Sequence, residues 1–450
     1  MAGSAPSDRL ALLWSASFFA GALAQLLARV SGLPVVVLLL GAGLLGGEAG
    51  LGVIQPSLLG RGLEPLVGLL VCLVLFDGGL NLRLAGPTLQ RSVIQLVLVR
   101  SVLGFACAAL LAHLLAGLSW SLALVFAAIS LATGPTVVTP MVRQMRLSPF
   151  LAKLLEAEGL ILEPVAAVLA LLLLELALGD LGRWQDVAVR LLLRLGGGVL
   201  LGGLAGWALS LVLERLLSAP APPAPAEPTP GAPPPPAFDA IAASTLPLQV
   251  TLGALFLLYS GCEALLPESG LPAAVSAGVV VGLRLERTAS LLDGLIAQLA
   301  LLAITVLFPL LAADVSWGEL TLLGFGAVLC VLALTPIRWL VLQLAGLGLP
   351  LTGAEKLMLS WLAPRGIVTA AVGSLFALRL EEAGVEGAGP LKGLVFLTIL
   401  LTVGLQGVTA PWLADRLGLR QEDPAAGASP AAAAAPPGSQ AAVLPGGEGS

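Results

Sequence analysis

Four carboxylates crowd one apolar stretch, "LAKLLEAEGLILEPVAAVLALLLLEL", residues 151–176: Glu156, Glu158, Glu163 and Glu175. If that stretch is a membrane helix, Glu163 lies about 18 Å in from Leu151 at about 1.5 Å per residue, near the middle of a hydrocarbon layer about 30 Å thick. An ionised carboxylate at that depth costs about 2.5–3.5 kcal/mol on insertion scales, so an acid there is kept for chemistry. The chemistry open to a lone buried carboxylate is reversible loading with a proton or a cation. Glu156 is on nearly the same face and reads as an interfacial residue. Glu158, turned by about 140°, needs a partner of its own. Two arginines are deep enough to supply one: Arg338 in "LTPIRWLVL" is the first choice and Arg365 in "LAPRGIVTA" the second. Arg100 and Glu175 read as side chains that snorkel to an interface.

The elements that must position these groups are membrane helices. The chain is 58% hydrophobic and 11% charged, against about 25% charged in soluble domains, and its mean hydropathy is +1.00. Long apolar runs recur almost from end to end, and alternation of period two is found nowhere, so the predicted fold is all-α and polytopic. About thirteen transmembrane helices are expected, among them Ser92 to Leu115, Trp120 to Val142, Leu151 to Leu178, a short ninth from Leu271 to Leu283, Leu320 to Leu344 and Leu357 to Leu380. The fifth is interrupted by Gly134 and Pro135: proline ends the hydrogen-bond ladder, and the glycine is expected to free the backbone. The twelfth is interrupted by Pro364 and Gly366. "ATGPTVVT" and "LAPRGIVT" read alike and lie seven spans apart, an odd number, which predicts inverted repeats whose two broken helices cross at mid-membrane. Broken helices at matching places in two halves point to an ion site of a secondary transporter.

Organisation follows from charge and composition. With alternating spans, Arg29, Arg83, Arg91, Arg143, Arg146, Lys153, Arg215, Arg284, Arg287, Lys356, Arg416 and Arg420 fall on one side, the expected cytoplasm. That places the N terminus outside and the C terminus inside. Residues 1–217 form a first membrane half, 218–245 a Pro/Ala-rich cytoplasmic linker, 246–420 a second membrane half and 421–450 a disordered tail. The first span could alternatively be a signal peptide, but its positive flank is weak and it is kept as a span. The four cysteines have no metal spacing, His113 is the only histidine, and no nucleophile elbow, zinc motif or phosphate loop is present. Neither an enzyme nor a bound cofactor is expected, and nothing points to nucleic acid.

At these residues the chain resembles the monovalent cation/proton antiporter superfamily, in its bacterial sodium/proton exchanger branch, over about Leu10 to Leu419. "LVLFDGGLNL" is similar to a core-helix motif and places Asp77 at the family's acidic position. "ATGPTVV" is similar to the broken-helix motif that usually reads Thr-Asp-Pro, carrying over Thr133, Pro135 and Thr136. "EGLILEPVA" resembles the Glu-Ser-x-x-Asn-Asp segment, with Glu158 at the first acid and Glu163 at the ion-binding position. "TPIRWL" and "APRGIV" match the two arginine-bearing helices, Arg338 and Arg365. The chain departs from the family at Gly134, where aspartate is usual, at Gly159 for serine, at Leu162 for asparagine and at Glu163 for aspartate.

The resemblance implies exchange of a monovalent cation, Na⁺ first and Li⁺ or K⁺ next, for H⁺ by competition at Glu163. The hydroxyls of Thr133 and Thr136 and carbonyls freed at the break would complete an oxygen site, and exchange would be electroneutral. It implies a homodimer in a bacterial inner membrane, with a core of broken helices moving against an apolar scaffold. A cation channel, or a regulatory protein that keeps the fold without transport, stays open as the alternative.

Overall fold

A computed structural model describes residues 6–82, 86–181, 183–218, 237–285, 290–321 and 323–420. Most of the expected linker and the whole expected tail lie outside these residues. The first half runs α1 (Pro6–Ser31), α2 (Val35–Gly46), α3 (Leu63–Asn81), α4 (Pro87–Val99), α5 (Phe105–Leu114), α6 (Trp120–Leu131), α7 (Pro135–Met145), α8 (Pro149–Leu178) and α9 (Trp184–Ser218). The second runs α10 (Ala237–Leu265), α11 (Gly270–Arg284), α12 (Ser290–Ala312), α13 (Trp317–Thr321), α14 (Phe325–Ala345), α15 (Gly353–Trp361), α16 (Ile367–Glu382), α17 (Ala388–Leu401) and α18 (Gly407–Arg416).

No strand is present among the described residues, only an isolated bridge between Leu147 and Arg420. Helix follows from composition, because in an apolar surrounding each backbone amide must find its partner within its own segment. Nine helices among the described residues are long and apolar enough to cross a membrane, and Val35–Gly46, Trp120–Leu131 and Gly270–Arg284 are shorter apolar ones. The outward faces agree: Phe19, Val30, Leu192, Leu200 and Phe325 are exposed. In water so much apolar surface would be an aggregation liability, whereas lipid solvates it. The chain is a multi-pass integral membrane protein.

Several boundaries differ from the sequence reading. The short ninth span is one uninterrupted helix, α11, held between α3 and α9. Glycines set that packing: a Cβ on Gly278 or Gly282 would strike the carbonyls of Phe76 and Leu80 on α3, and one on Gly202 or Gly206 those of Ala273 and Ala277 on α11. Backbones therefore touch, as small residues allow between membrane helices. The expected span from Leu320 is split into the short α13 and α14, and α10 starts at Ala237, before the expected Leu246. Two long helices contain a π-helical turn, Arg100–Gly104 between α4 and α5 and Thr402–Gln406 between α17 and α18.

Two groups of helices emerge. α1, α2, α3, α9, α10, α11 and α12 pack on one another, while α4 to α8 and α14 to α18 surround the two interruptions. α6/α7 and α15/α16 are the interrupted pairs, and the breaks fall at the prolines and glycines singled out in the sequence.

Candidate functional site

Each break is a short extended segment between two half-helices. α6 ends at Leu131, Ala132 is extended (φ −58°, ψ 124°), and α7 restarts with Pro135 at its first position. α15 ends at Trp361 and α16 restarts after Gly366 (φ −98°, ψ −172°). The two segments meet, since the Gly134 amide donates to the Pro364 carbonyl at 3.2 Å. Gly134 itself has φ −67° and ψ 111°, an extended conformation open to any residue. The break is therefore made by Pro135, and the dihedral freedom expected of Gly134 is not used.

α8 passes directly beside this junction. A Cβ on Gly159 would lie 2.8 Å from the Thr133 carbonyl oxygen and 3.6 Å from its hydroxyl, so the absence of a side chain lets helix and break touch. Glu163 stands one turn further, about 6 Å along the axis. It is fully buried, and neither carboxylate oxygen has a hydrogen-bond partner among the described residues. Buried polar atoms are nearly always partnered, and in this Glu163 differs from Glu158 on the same helix. Thr133 is buried as well. The side chain of Thr136 lies outside the described ones. Thr369, in the first turn of α16, is a further buried hydroxyl with no partner among the described residues, and nothing in the sequence distinguished it from an ordinary helix threonine.

Glu158, on the adjoining face of α8, is bound on both oxygens. Arg100 Nη1 donates to its Oε1 at 2.5 Å and Arg338 Nη2 to its Oε2 at 3.1 Å. Arg338 Nε also donates to the Leu359 carbonyl at 3.1 Å, in the last turn of α15. Arg365 does not join this pair: its Nη1 donates to the Ala132 carbonyl at 2.8 Å, and its amide to Thr402 Oγ1 at 3.2 Å. The second arginine on Glu158 is Arg100, which does not snorkel but is buried on the wide turn after α4. Glu175, by contrast, pairs with Arg194 at 2.9 Å and Arg190 at 3.5 Å.

Asp77 is half-buried near the end of α3, where it accepts a hydrogen bond from Asn81 Nδ2 at 3.2 Å. The charges acting on it are Arg143, Asp293 and Glu156, so the structure groups it with a polar patch on α7, α8 and α12. Glu156 lies beside Thr139 and Arg143 of α7. Pro364 and Gly366 are both in the second extended segment, and Pro364 supplies the carbonyl that joins the breaks.

The decisive comparison is with protein families: the model described as "Sodium/hydrogen exchanger, transmembrane" matches residues 15–416. The chain belongs to the sodium/hydrogen exchanger family. Among relatives, the exchanger is 23% identical over 441 residues to a "Probable Na(+)/H(+) antiporter 2" of Methanocaldococcus jannaschii, an alignment covering 89% of this chain and 95% of that one. Among solved structures it resembles the sodium proton antiporter MjNhaP1 of the same organism, determined at pH 8, with a TM-score of 0.72, 22% identity and coverage of 91% and 99% of the two chains. An electron-microscopy structure of MjNhaP1 also matches, with a TM-score of 0.72, 21% identity and coverage of 90% and 97%. At such identities the structures establish the shared fold.

Proposed function

We propose that this exchanger is a secondary active antiporter that loads Glu163 alternately with H⁺ and a monovalent cation, Na⁺ first and Li⁺ or K⁺ next. The observation that carries the reading is the fully buried Glu163 carboxylate, without a hydrogen-bond partner among the described residues and one turn of α8 beyond Gly159, which abuts Thr133 at the first break. Such a group is stable only when its charge is answered, and either a bound proton or a bound cation does so. The two therefore exclude each other. The Thr133 hydroxyl and carbonyl supply neutral oxygens of the kind hard cations take, and Thr136 is a further candidate. Asp77, with Glu156 and Asp293, would draw cations toward the site. Transport is one proton for one cation, through movement of the α4–α8 and α14–α18 core against the remaining helices. The protein works as a homodimer in a bacterial inner membrane, N terminus outside and C terminus in the cytoplasm, the orientation favoured by its basic residues.

Inside-out vesicles containing the protein, with a pH-sensitive dye and an imposed pH gradient, test this. Addition of Na⁺, Li⁺ or K⁺ in turn is expected to dissipate the gradient for at least one cation. Glu163→Gln, present in equal and folded amount, is expected to be silent. A wild type that responds to none of the three, or a Glu163→Gln protein as active as wild type, would overturn the reading.

A further inference from the structure

Arg100 and Arg338 hold corresponding stations in the two halves. The helix of Arg100 comes just before the first interrupted helix in the chain, and that of Arg338 just before the second. Each guanidinium takes one oxygen of Glu158, at 2.5 Å and 3.1 Å. Each also donates to a carbonyl at the end of the half-helix that leads into a break: Arg100 Nη2 to Leu131 O of α6 at 3.4 Å, and Arg338 Nε to Leu359 O of α15 at 3.1 Å. The last carbonyls of a helix have no partner within it and carry partial negative charge, so a buried cation is well placed there.

The correspondence then fails at one atom. Arg100 Nη1 reaches a further group, the Thr133 hydroxyl oxygen at 3.4 Å, whereas among the described residues the bonds of Arg338 end at Glu158 and Leu359. Thr133 is the residue whose carbonyl and hydroxyl face Gly159, one turn from Glu163. A hydroxyl oxygen has two lone pairs. One directed at Arg100 leaves one for a cation and fixes where it points. The π-helical turn beginning at Arg100 carries this side chain into the interior, although its neighbours Val102 and Leu103 face outward.

We propose that Arg100 is a positioning residue of the cation site: it anchors Thr133 and ties that residue to Glu158, so that cation affinity depends on it although it never touches the ion. This rests on the reading of Glu163 and Thr133 as the exchange site. A lysine keeps the charge beside Glu158 but, as one compact ammonium, cannot span the carboxylate, the Thr133 hydroxyl and the Leu131 carbonyl.

The test compares wild type, Arg100→Lys, Thr133→Ala and the double variant in the vesicle assay, with the amount and melting temperature of each purified protein. The expected result for Arg100→Lys is an apparent KM for Na⁺ raised about tenfold, the scale of one hydrogen bond to a charged group, with maximal rate near wild type. Thr133→Ala should raise KM similarly, and the double variant no more than either single one, because both act through the same Thr133 hydroxyl. Should Arg100→Lys fail to fold, Arg100→Gln combined with Glu158→Gln conserves the net charge of the triad and carries the same expectation. A merely structural arginine would give less or less stable protein with KM unmoved, or KM effects that multiply, and either result overturns the proposal. A wild type silent toward every cation would instead remove the exchange reading and this role with it.

Discussion

Two glutamates five residues apart on α8 are answered in opposite ways, and that division predicts opposite consequences of the same substitution. Glu158 is buried between Arg100 and Arg338, one oxygen to each. Removing one member of a buried ion pair costs about 3–5 kcal/mol, because the remaining charge is left unanswered. Glu158→Gln is therefore expected to lower the melting temperature in detergent and reduce the protein recovered from membranes, whatever it does to transport. Glu163 gives up no protein hydrogen bond when its charge is removed, since neither oxygen has one among the described residues. Glu163→Gln should melt at or above the wild-type temperature while exchange is lost. Intrinsic tryptophan fluorescence during heating, read beside the vesicle assay, measures both, and equal destabilisation by the two variants would refute the division of labour.

Helix contacts set where those residues stand, and the tightest are made by glycines. Gly278 on α11 abuts the Phe76 carbonyl on α3, the residue before Asp77, whereas a Cβ on Gly203 of α9 would meet nothing within 4 Å. Gly278→Leu must push α3 and α11 apart, an overpacking that costs about 1–3 kcal/mol, while Gly203→Leu should be neutral. Thermal unfolding of the two variants checks this, and equal melting temperatures would show that the contact yields more easily than its geometry indicates. The interrupted helices and the burial of Glu163 were legible because proline and hydropathy act locally along one chain. The pairing of Arg338 with Glu158 could be guessed from depth alone. Arg100 could not: its partners lie on other helices, and the π-helical turn resets the register by which a sequence is read as a face. Nor could the sequence tell that Gly134 is extended, since a glycine before a proline looks the same whether or not its freedom is used.

At the scale of the whole molecule, the proposed exchange is decided by the charge that would travel if the core moved against the other helices. The polar contacts between the two helix groups include Asp314, after α12, which pairs with Lys392 of α17 at 3.3 Å and accepts from Ser374 of α16 at 2.7 Å. Contacts of that kind can be broken and remade without altering the charge carried by the core. Arg100, Glu158, Arg338 and Arg365 all belong to the breaks or the helices around them, so in the proposed cycle they would move together in both directions and cancel. On the proposed cycle only the load on Glu163 would differ between the two strokes, and in each it would be a single positive charge on the same carboxylate. Net charge moved per cycle would then be zero. One uncompensated charge crossing 100 mV would change the energetics by about 2.3 kcal/mol, close to fiftyfold in an equilibrium constant. Vesicles holding the purified protein, clamped near 0 and near −100 mV with a potassium ionophore, are therefore expected to exchange H⁺ for Na⁺ at the same rate and to the same end point. An end point displaced by voltage would mean that a second titrating group, with Asp77 the foremost candidate, shares the load.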